Sequence, residues 1–371
     1  MTTKELIDDN IITVDGVLYS KDMNTLLKLP EGQYDRCVIP DTVKKIKHSF
    51  IHNDCLKSVI IPASVIEIKD FAFGRCYGLI SITVHPDNPN YSSENGVLFN
   101  KAKTILKFCP RSRQGEYVVP DTVTEIDDHA FCDCSGLTSI IIPASIKKIA
   151  NYLFLRCSAL TSITIPDMVT DIGKSAFSDC TALMFVYIPA SVCEIDEDAF
   201  SGCTALSNIT VHPDNPFLTS ENGNLFNKDK TVLLKYYQAQ PGDFKIPETV
   251  TVIGDGAVRN CVAVTSAIIP KSVKKIGFLA FGYCSGLTTL VISDSVTEID
   301  DGAFYACSGL TRLVIPQSVT KIGDLAFNDC TSLKFVVIPD SVTKIGDNAF
   351  ENCTDLIKYN QKYKIKNQKL L

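Results

Sequence analysis

The sequence predicts a repeat solenoid, a chain wound into coils of one fixed length that each add one short strand to a parallel sheet. Three observations carry this. An Ile-Pro dipeptide or its equivalent returns at Ile39, Ile61, Val119, Ile142, Ile165, Ile188, Ile246, Ile269, Ile292, Ile315 and Ile338, with a step of 23 inside each block after a first step of 22. Within one copy the apolar residues alternate as they do along a strand with one buried side. Twice the period is interrupted by near copies of one longer insert, which begins VHPDNP at Val84 and at Val211.

The elements of one coil follow in order. Leu137, Ile140 and Ile142 keep an L-x-x-I-x-I spacing that makes a short strand with alternate side chains inward. Pro143 ends it, since proline has no N–H to give a ladder. Ile146 and Ile149 form a second apolar pair, Leu153 and Phe154 a third, and Cys157 and Leu160 lead into the next strand. The Asp or Gly ahead of Ala-Phe, as in GDNAF and DDHAF, is expected to cap one 3-10 or helical turn that carries Ala and Phe inward. Modest helix beside mostly short parallel strands places the chain in the α/β class. Ser293 in place of proline, Val258 in place of phenylalanine and Ala150 in place of Gly or Asp are local departures. No coil can cover its own apolar side, so stability is collective.

Each insert lengthens the step from 23 to 35, as the intervals Val84 to Val119 and Val211 to Ile246 show. Gly16, Gly96 and Gly223 each stand one full period before their Ile-Pro equivalents, so a shortened third copy opens the chain at VDGVLYSKDMNTLLKL. The segments VLFN and TILKF around a polar turn read as a two-stranded hairpin, with PDNP as an extra loop. The organisation is one continuous solenoid: an N-terminal cap, hairpin insert and two coils over 1–84, an insert and four coils over 85–211, an insert and five coils over 212–356, and a lysine-rich tail over 357–371.

The phrase I-P-x-S-V-x-x-I-G-x-x-A-F-x-x-C-x-x-L, repeated from about Asp15 to Asn360, closely resembles the BspA-type leucine-rich repeat family. The resemblance implies a leucine-rich-repeat solenoid of the kind found on bacterial and protist surfaces as adhesins or binding proteins, and it does not imply catalysis.

Composition narrows the chemistry. With 45% apolar and 21% charged residues and a net charge of −6, acids and bases interspersed, no basic field exists to neutralise a nucleic-acid backbone, so no nucleic acid is expected as partner. The longest apolar run, Ala182 to Ile188, is too short for a membrane span of roughly 20 residues. The opening MTTKELIDDN lacks a basic start followed by an apolar stretch and reads as no export signal.

Eleven of the fifteen cysteines share one repeat position, from Cys55 and Cys76 to Cys330 and Cys353. Stacked equivalents have parallel Cβ vectors and two identical neighbours, which singles out no disulfide, and they do not converge as zinc ligands must. They are expected as buried, reduced thiols, and so many unpaired thiols suit a reducing compartment. His85 and His212, each in VHPDNP near Asp87 or Asp214, belong to a rigid turn. No HExxH, GxSxG or P-loop occurs, and no metal, cofactor or enzyme activity is expected. The lysine tail is expected to serve as a solvated cover for the last coil.

Stacking aligns the outward strand positions into columns. The candidate partner-binding face comprises Ile141, Thr164, Tyr187, Thr210, Val291, Val314 and Val337 in one column and Phe185, Arg312 and Phe335 in the other. It is dry and carries aromatic rings, which marks an interaction surface for a protein or other macromolecule. Adhesion or host interaction is the leading setting, and an intracellular interaction scaffold or effector is the alternative.

Overall fold

The computed structural model describes residues 4–8, 10–47, 50–196, 198–236 and 242–356. It is a leucine-rich-repeat solenoid built from strands and turns, in two compact units, Met1–Leu183 and Met184–Leu371. Each coil contributes a strand of three to six residues, such as Ser58–Ile61 or Arg312–Val314, and a two-residue strand, such as Glu67–Ile68 or Lys321–Ile322. The parallel registers repeat the sequence period. In the first unit Ser58 faces Ser81 and Ile61 faces Val84, and in the second Ser266 faces Thr289 and Glu298 faces Lys321.

The Ala-Phe turn differs from expectation. It carries both side chains inward, with Phe131, Phe154, Phe281, Phe304, Phe327 and Phe350 fully buried, but no helix or 3-10 segment forms among the described residues. The reason is where the amides go. Phe131 N–H donates to Leu153 O in the following coil at 3.1 Å, and the flanking His129 and Asp133 sit at left-handed φ of 62° and 60°, which a helix excludes. The aspartate expected to cap its own turn caps the next coil instead. Asp301 Oδ1 accepts from Asp324 N–H and Asp324 Oδ1 from Asp347 N–H, both at 2.8 Å. This reach also accounts for the glycine after the second isoleucine, because a Cβ on Gly346 would stand 2.3 Å from Asp324 N and Asp324 Oδ1.

The core is a set of columns. In the second unit the rings of Phe281, Phe304, Phe327 and Phe350 stack at 5.1, 5.2 and 5.3 Å, and in the first Phe131, Phe154 and Phe177 stack at 5.6 and 5.3 Å. The cysteine column lies beside them. Where a regular coil precedes, the thiol donates to the carbonyl of that coil's phenylalanine or valine, as Cys157 does to Phe131 O and Cys307 to Phe281 O at 3.1 Å, whereas Cys134 and Cys261, which follow inserts, donate to Cys109 O and Tyr236 O. The position therefore asks for a small apolar group with one donor, which is what a thiol is. All fifteen cysteines are free. Two column members depart from the expected burial: Cys261 is half-buried, and Cys55 is exposed while the fully buried Asn53 donates to Pro30 O in that coil.

The inserts are three-stranded, one strand more than the expected hairpin. Tyr91–Glu94, Val97–Asn100 and Ile105–Phe108 form an antiparallel meander that continues in parallel with Glu125–Ile126. Asn95 and Gly96, at φ 49° and 81°, make the first turn in the form that matches strand twist. Leu218–Glu221, Asn224–Asn227 and Val232–Lys235 repeat the arrangement, and so do Ile11–Val14, Val17–Ser20 and Thr25–Lys28. In VHPDNP the fully buried Asn88 donates to Pro62 O and Val65 O at 2.8 and 2.9 Å and accepts from the amides of Asn90 and Tyr91. Asn215 makes the same four bonds in the second unit, to Pro189 O and Val192 O and from Phe217 and Leu218. The lysine-rich tail expected over 357–371 lies outside the described residues.

Candidate partner-binding face

Alternation along each longer strand sets the face. Phe185–Ile188 reads exposed, buried, exposed, buried, so Phe185 and Tyr187 point out where Val186 and Ile188 point in. Parallel pairing then sets like beside like. In the second unit Phe185 faces Asn208, Tyr187 faces Thr210, Ile268 faces Val291, Arg312 faces Phe335, and Val314 faces Val337. Ile268, Val291, Val314 and Val337 are 58%, 49%, 46% and 47% exposed, and Phe185 and Phe335 are 53% and 45% exposed, unusual for side chains of this kind. Thr210 and Arg312 are exposed as well.

The Tyr187 ring is held by an edge contact to His212, centroids 6.3 Å apart, and the His212 ring is itself fixed by Asp214 N–H donating to its Nδ1 at 3.0 Å. A VHPDNP turn thus supports an aromatic group on the sheet face. In the first unit Ile141 and Thr164 are exposed, and Val118 pairs beside Ile141 and Val38 beside Ile60, with Val38 and Val118 60% and 56% exposed. These two valines were missed by the L-x-x-I-x-I spacing because their strands follow an insert. The residue just ahead of Ile39-Pro40 or Val119-Pro120 was the available signal.

Elsewhere the chemistry is muted. Burial pushes the thiols of Cys37, Cys76 and Cys261 up to about 11 and that of Cys353 to about 12, which keeps them neutral and unreactive. Asp133 is held below the usual carboxylate range by Arg111 at 3.0 Å and Arg156 at 2.6 Å against the opposing effect of burial. Among the described residues no group of three His, Cys, Asp or Glu could hold a metal, and no helix is long and apolar enough to cross a membrane.

The sequence matches the BspA type leucine rich repeat region in six copies, over residues 33–113, 107–228 and 235–357. Among solved structures, a leucine rich cell surface protein of Faecalibacterium prausnitzii is 32% identical, with 98% of this chain and 95% of that one covered and a TM-score of 0.67. The pneumococcal vaccine antigen PcpA shares the fold at 20% identity and a TM-score of 0.58, over 96% of this chain and 84% of its own. Among curated proteins, none matches the chain significantly. With the repeat model covering most of its length and a relative of nearly equal extent, this chain belongs to the BspA type leucine rich repeat family.

Proposed function

We propose that the chain is a non-enzymatic binding protein that recognises a protein partner along the outward face of its sheets, in adhesion or host interaction. The observation that carries this reading is the exposed apolar face with Phe185, Tyr187 and Phe335 set into it. Scattered apolar side chains are ordinary on a protein surface, but a contiguous patch marks an interaction site, and aromatic side chains dominate the few contacts that carry most binding energy. The description of the Faecalibacterium relative as a cell surface protein supports the setting. The fifteen free cysteines favour a second reading, an intracellular interaction scaffold that uses the same face in a reducing compartment.

The test is the double substitution Phe185→Ser with Tyr187→Thr, which keeps strand-compatible residues. Capture of partners from a cell-surface protein extract should weaken at least tenfold, while the melting temperature stays nearly unmoved because exposed sheet residues carry about 0.5 kcal/mol or less of fold stability. Recognition belongs to the inserts instead if the double variant captures normally and Phe217→Ser, at an insert residue 54% exposed, does not.

A further inference from the structure

The regular turns at 129–133, 152–156, 256–260, 279–283, 302–306 and 325–329 each pass three amides to the coil after them. His129, Phe131 and Asp133 donate to the carbonyls of Asn151, Leu153 and Leu155 at 3.1, 3.1 and 2.7 Å, and Leu325, Phe327 and Asp329 donate to those of Asp347, Ala349 and Glu351 at 2.9, 2.8 and 3.0 Å. The outer two donors of these two sets are left-handed, with φ between 56° and 62°. Phe71, Phe73 and Arg75 hold the same places in the coil before the first complete insert. Phe71 and Arg75 have φ of 61° and 56°, so the three N–H groups point the same way. Yet none of the three has an acceptor among the described residues. Phe73 is 2% exposed, and an unpaired amide on a buried residue is rare.

The insert explains the gap. Leu106 pairs with Ile126, but the insert reaches Cys109, whose amide takes the place of a turn phenylalanine's, in three steps where the next coil needs five to reach Phe131. Two residues of turn are missing. The insert still donates forward, from Cys109 N–H to Ala130 O at 2.9 Å and from the Arg111 guanidinium to Cys132 O, but it returns no carbonyl to the turn of residues 71–75 behind it. What remains is a cleft of about 690 Å³, walled by residues 68–74 and 124–129 and floored by Lys107, Phe108 and Arg111.

We propose that this cleft binds a turn-forming peptide segment of a partner protein, whose main-chain carbonyls accept from Phe71, Phe73 and Arg75. Donors on every second residue repeat the pattern by which regular turns meet, and Gly74 N–H donating to Phe71 O at 2.9 Å folds the segment into a turn, so a partner must present its carbonyls from a turn of the same pitch. Such docking takes its affinity from main-chain hydrogen bonds. The volume falls within the roughly 300–1,000 Å³ of small-ligand sites. Neutral carbonyls fit the charge better than an anion does, because Lys69, Lys107, Lys147 and Lys148 stand with Asp70, Glu125, Asp127 and Asp128, while Lys69, Lys107 and Arg111 are already paired to Glu67, Asp127 and Asp133 at 2.7, 2.8 and 3.0 Å. Phe108 packs on Phe73 with centroids 5.3 Å apart, so the inward residue of the peptide must be small. At the lip the half-exposed Phe71 ring meets His129 at 4.6 Å and swings aside as the peptide enters. The cleft is separate from the outward strand face, so either assignment can fail without the other.

The test uses the intact chain and a capped heptapeptide, Gly-Asp-Asn-Ala-Gly-Glu-Asn, which is the phrase of residues 346–352 with glycine where Phe350 stands. In the free chain, amide hydrogen exchange read by NMR should run at least tenfold faster at Phe71, Phe73 and Arg75 than at His129, Phe131 and Asp133. Saturating peptide should slow those three amides at least tenfold, and sodium acetate should not. Three results overturn the proposal: amides already as protected as their equivalents, no slowing at millimolar peptide, or equal slowing by acetate, which would make this an anion site.

Discussion

Replacing Phe327 by alanine tests whether the ring column holds the coils together. The ring is fully buried and lies parallel between Phe304 at 5.2 Å and Phe350 at 5.3 Å, with interplanar angles of 3° and 8°. Truncating a buried phenylalanine costs about 3–5 kcal/mol, and each stacked pair contributes about 0.5–1.5 kcal/mol beyond its buried area. The upper part of that range, about 5 kcal/mol, is expected because both partners lose a face. With a urea m-value of about 2–3 kcal/mol/M, the unfolding midpoint should fall by about 2 M. The backbone bonds of Leu325, Phe327 and Asp329 to the next coil survive the change, but the Phe350 ring of that coil loses the neighbour it stacks on, whereas Phe281 keeps Phe304. Hydrogen exchange should therefore show residues 335–356 losing protection before residues 264–292. Phe327→Leu, which refills most of the space, should cost about 1.5 kcal/mol. An alanine variant that loses less than about 1 kcal/mol, or a leucine variant as unstable as the alanine one, would refute the stacking argument.

Alkali should unfold the chain through its thiols. The pKa values of Cys76 and Cys353 are raised in the fold by burial, so the stability these thiols contribute is complete below the unfolded thiol value of 9.0 and is lost as pH rises from there toward about 11 for Cys76 and about 12 for Cys353. Each buried thiol contributes up to about 1.4 kcal/mol per pH unit in that window, and melting curves between pH 8 and 11 should show a fall that shrinks in a Cys353→Ala variant. A thiol reagent at pH 8 should modify the exposed Cys55 and Cys193 quickly and the buried column only after denaturation. Asn88→Ala should lower stability by about 3 kcal/mol, since it strands two carbonyls and two amides, whereas His85→Ala in the same turn, at a side chain 51% exposed, should cost under about 1 kcal/mol.

The period, the strands and the outward columns were legible because each is written in side-chain spacing within one coil. The turn was not. Whether the residues around Phe131 close a helix depends on Leu153, 22 positions on, offering a better acceptor than the chain's own preceding turn. The third insert strand was hidden for a similar reason. Tyr91–Glu94 is polar apart from Tyr91 and holds its place through pairing with Val97–Asn100. Cys55 looks like its ten equivalents in sequence, and only the position of Asn53 one turn earlier shows which side chain the first coil sends inward. On the candidate face, Phe185 and Phe335 could be named from alternation alone, but the support of Tyr187 by His212 joins positions that one period does not place side by side. The cleft is invisible until register is known, because it comes from a count of two residues between Leu106 and Cys109 and from no motif.

The ladder of turn amides has a direction. In the five-coil block the turns are plugs on their leading side, with three N–H groups, and sockets on their trailing side, with three carbonyls, and the plug of Gly302, Phe304 and Ala306 fits its socket as the plug of Leu325, Phe327 and Asp329 fits the next. Coils of this kind are interchangeable modules. Duplicating or deleting one full period within the five-coil block leaves every plug seated, whereas a change of one residue must be absorbed inside a coil, as in the 22-residue first step, where strands and rings stay in line but Asn53 and not Cys55 turns inward. Length in such a protein is quantised, and the number of coils is free to vary with the size of the surface it must cover.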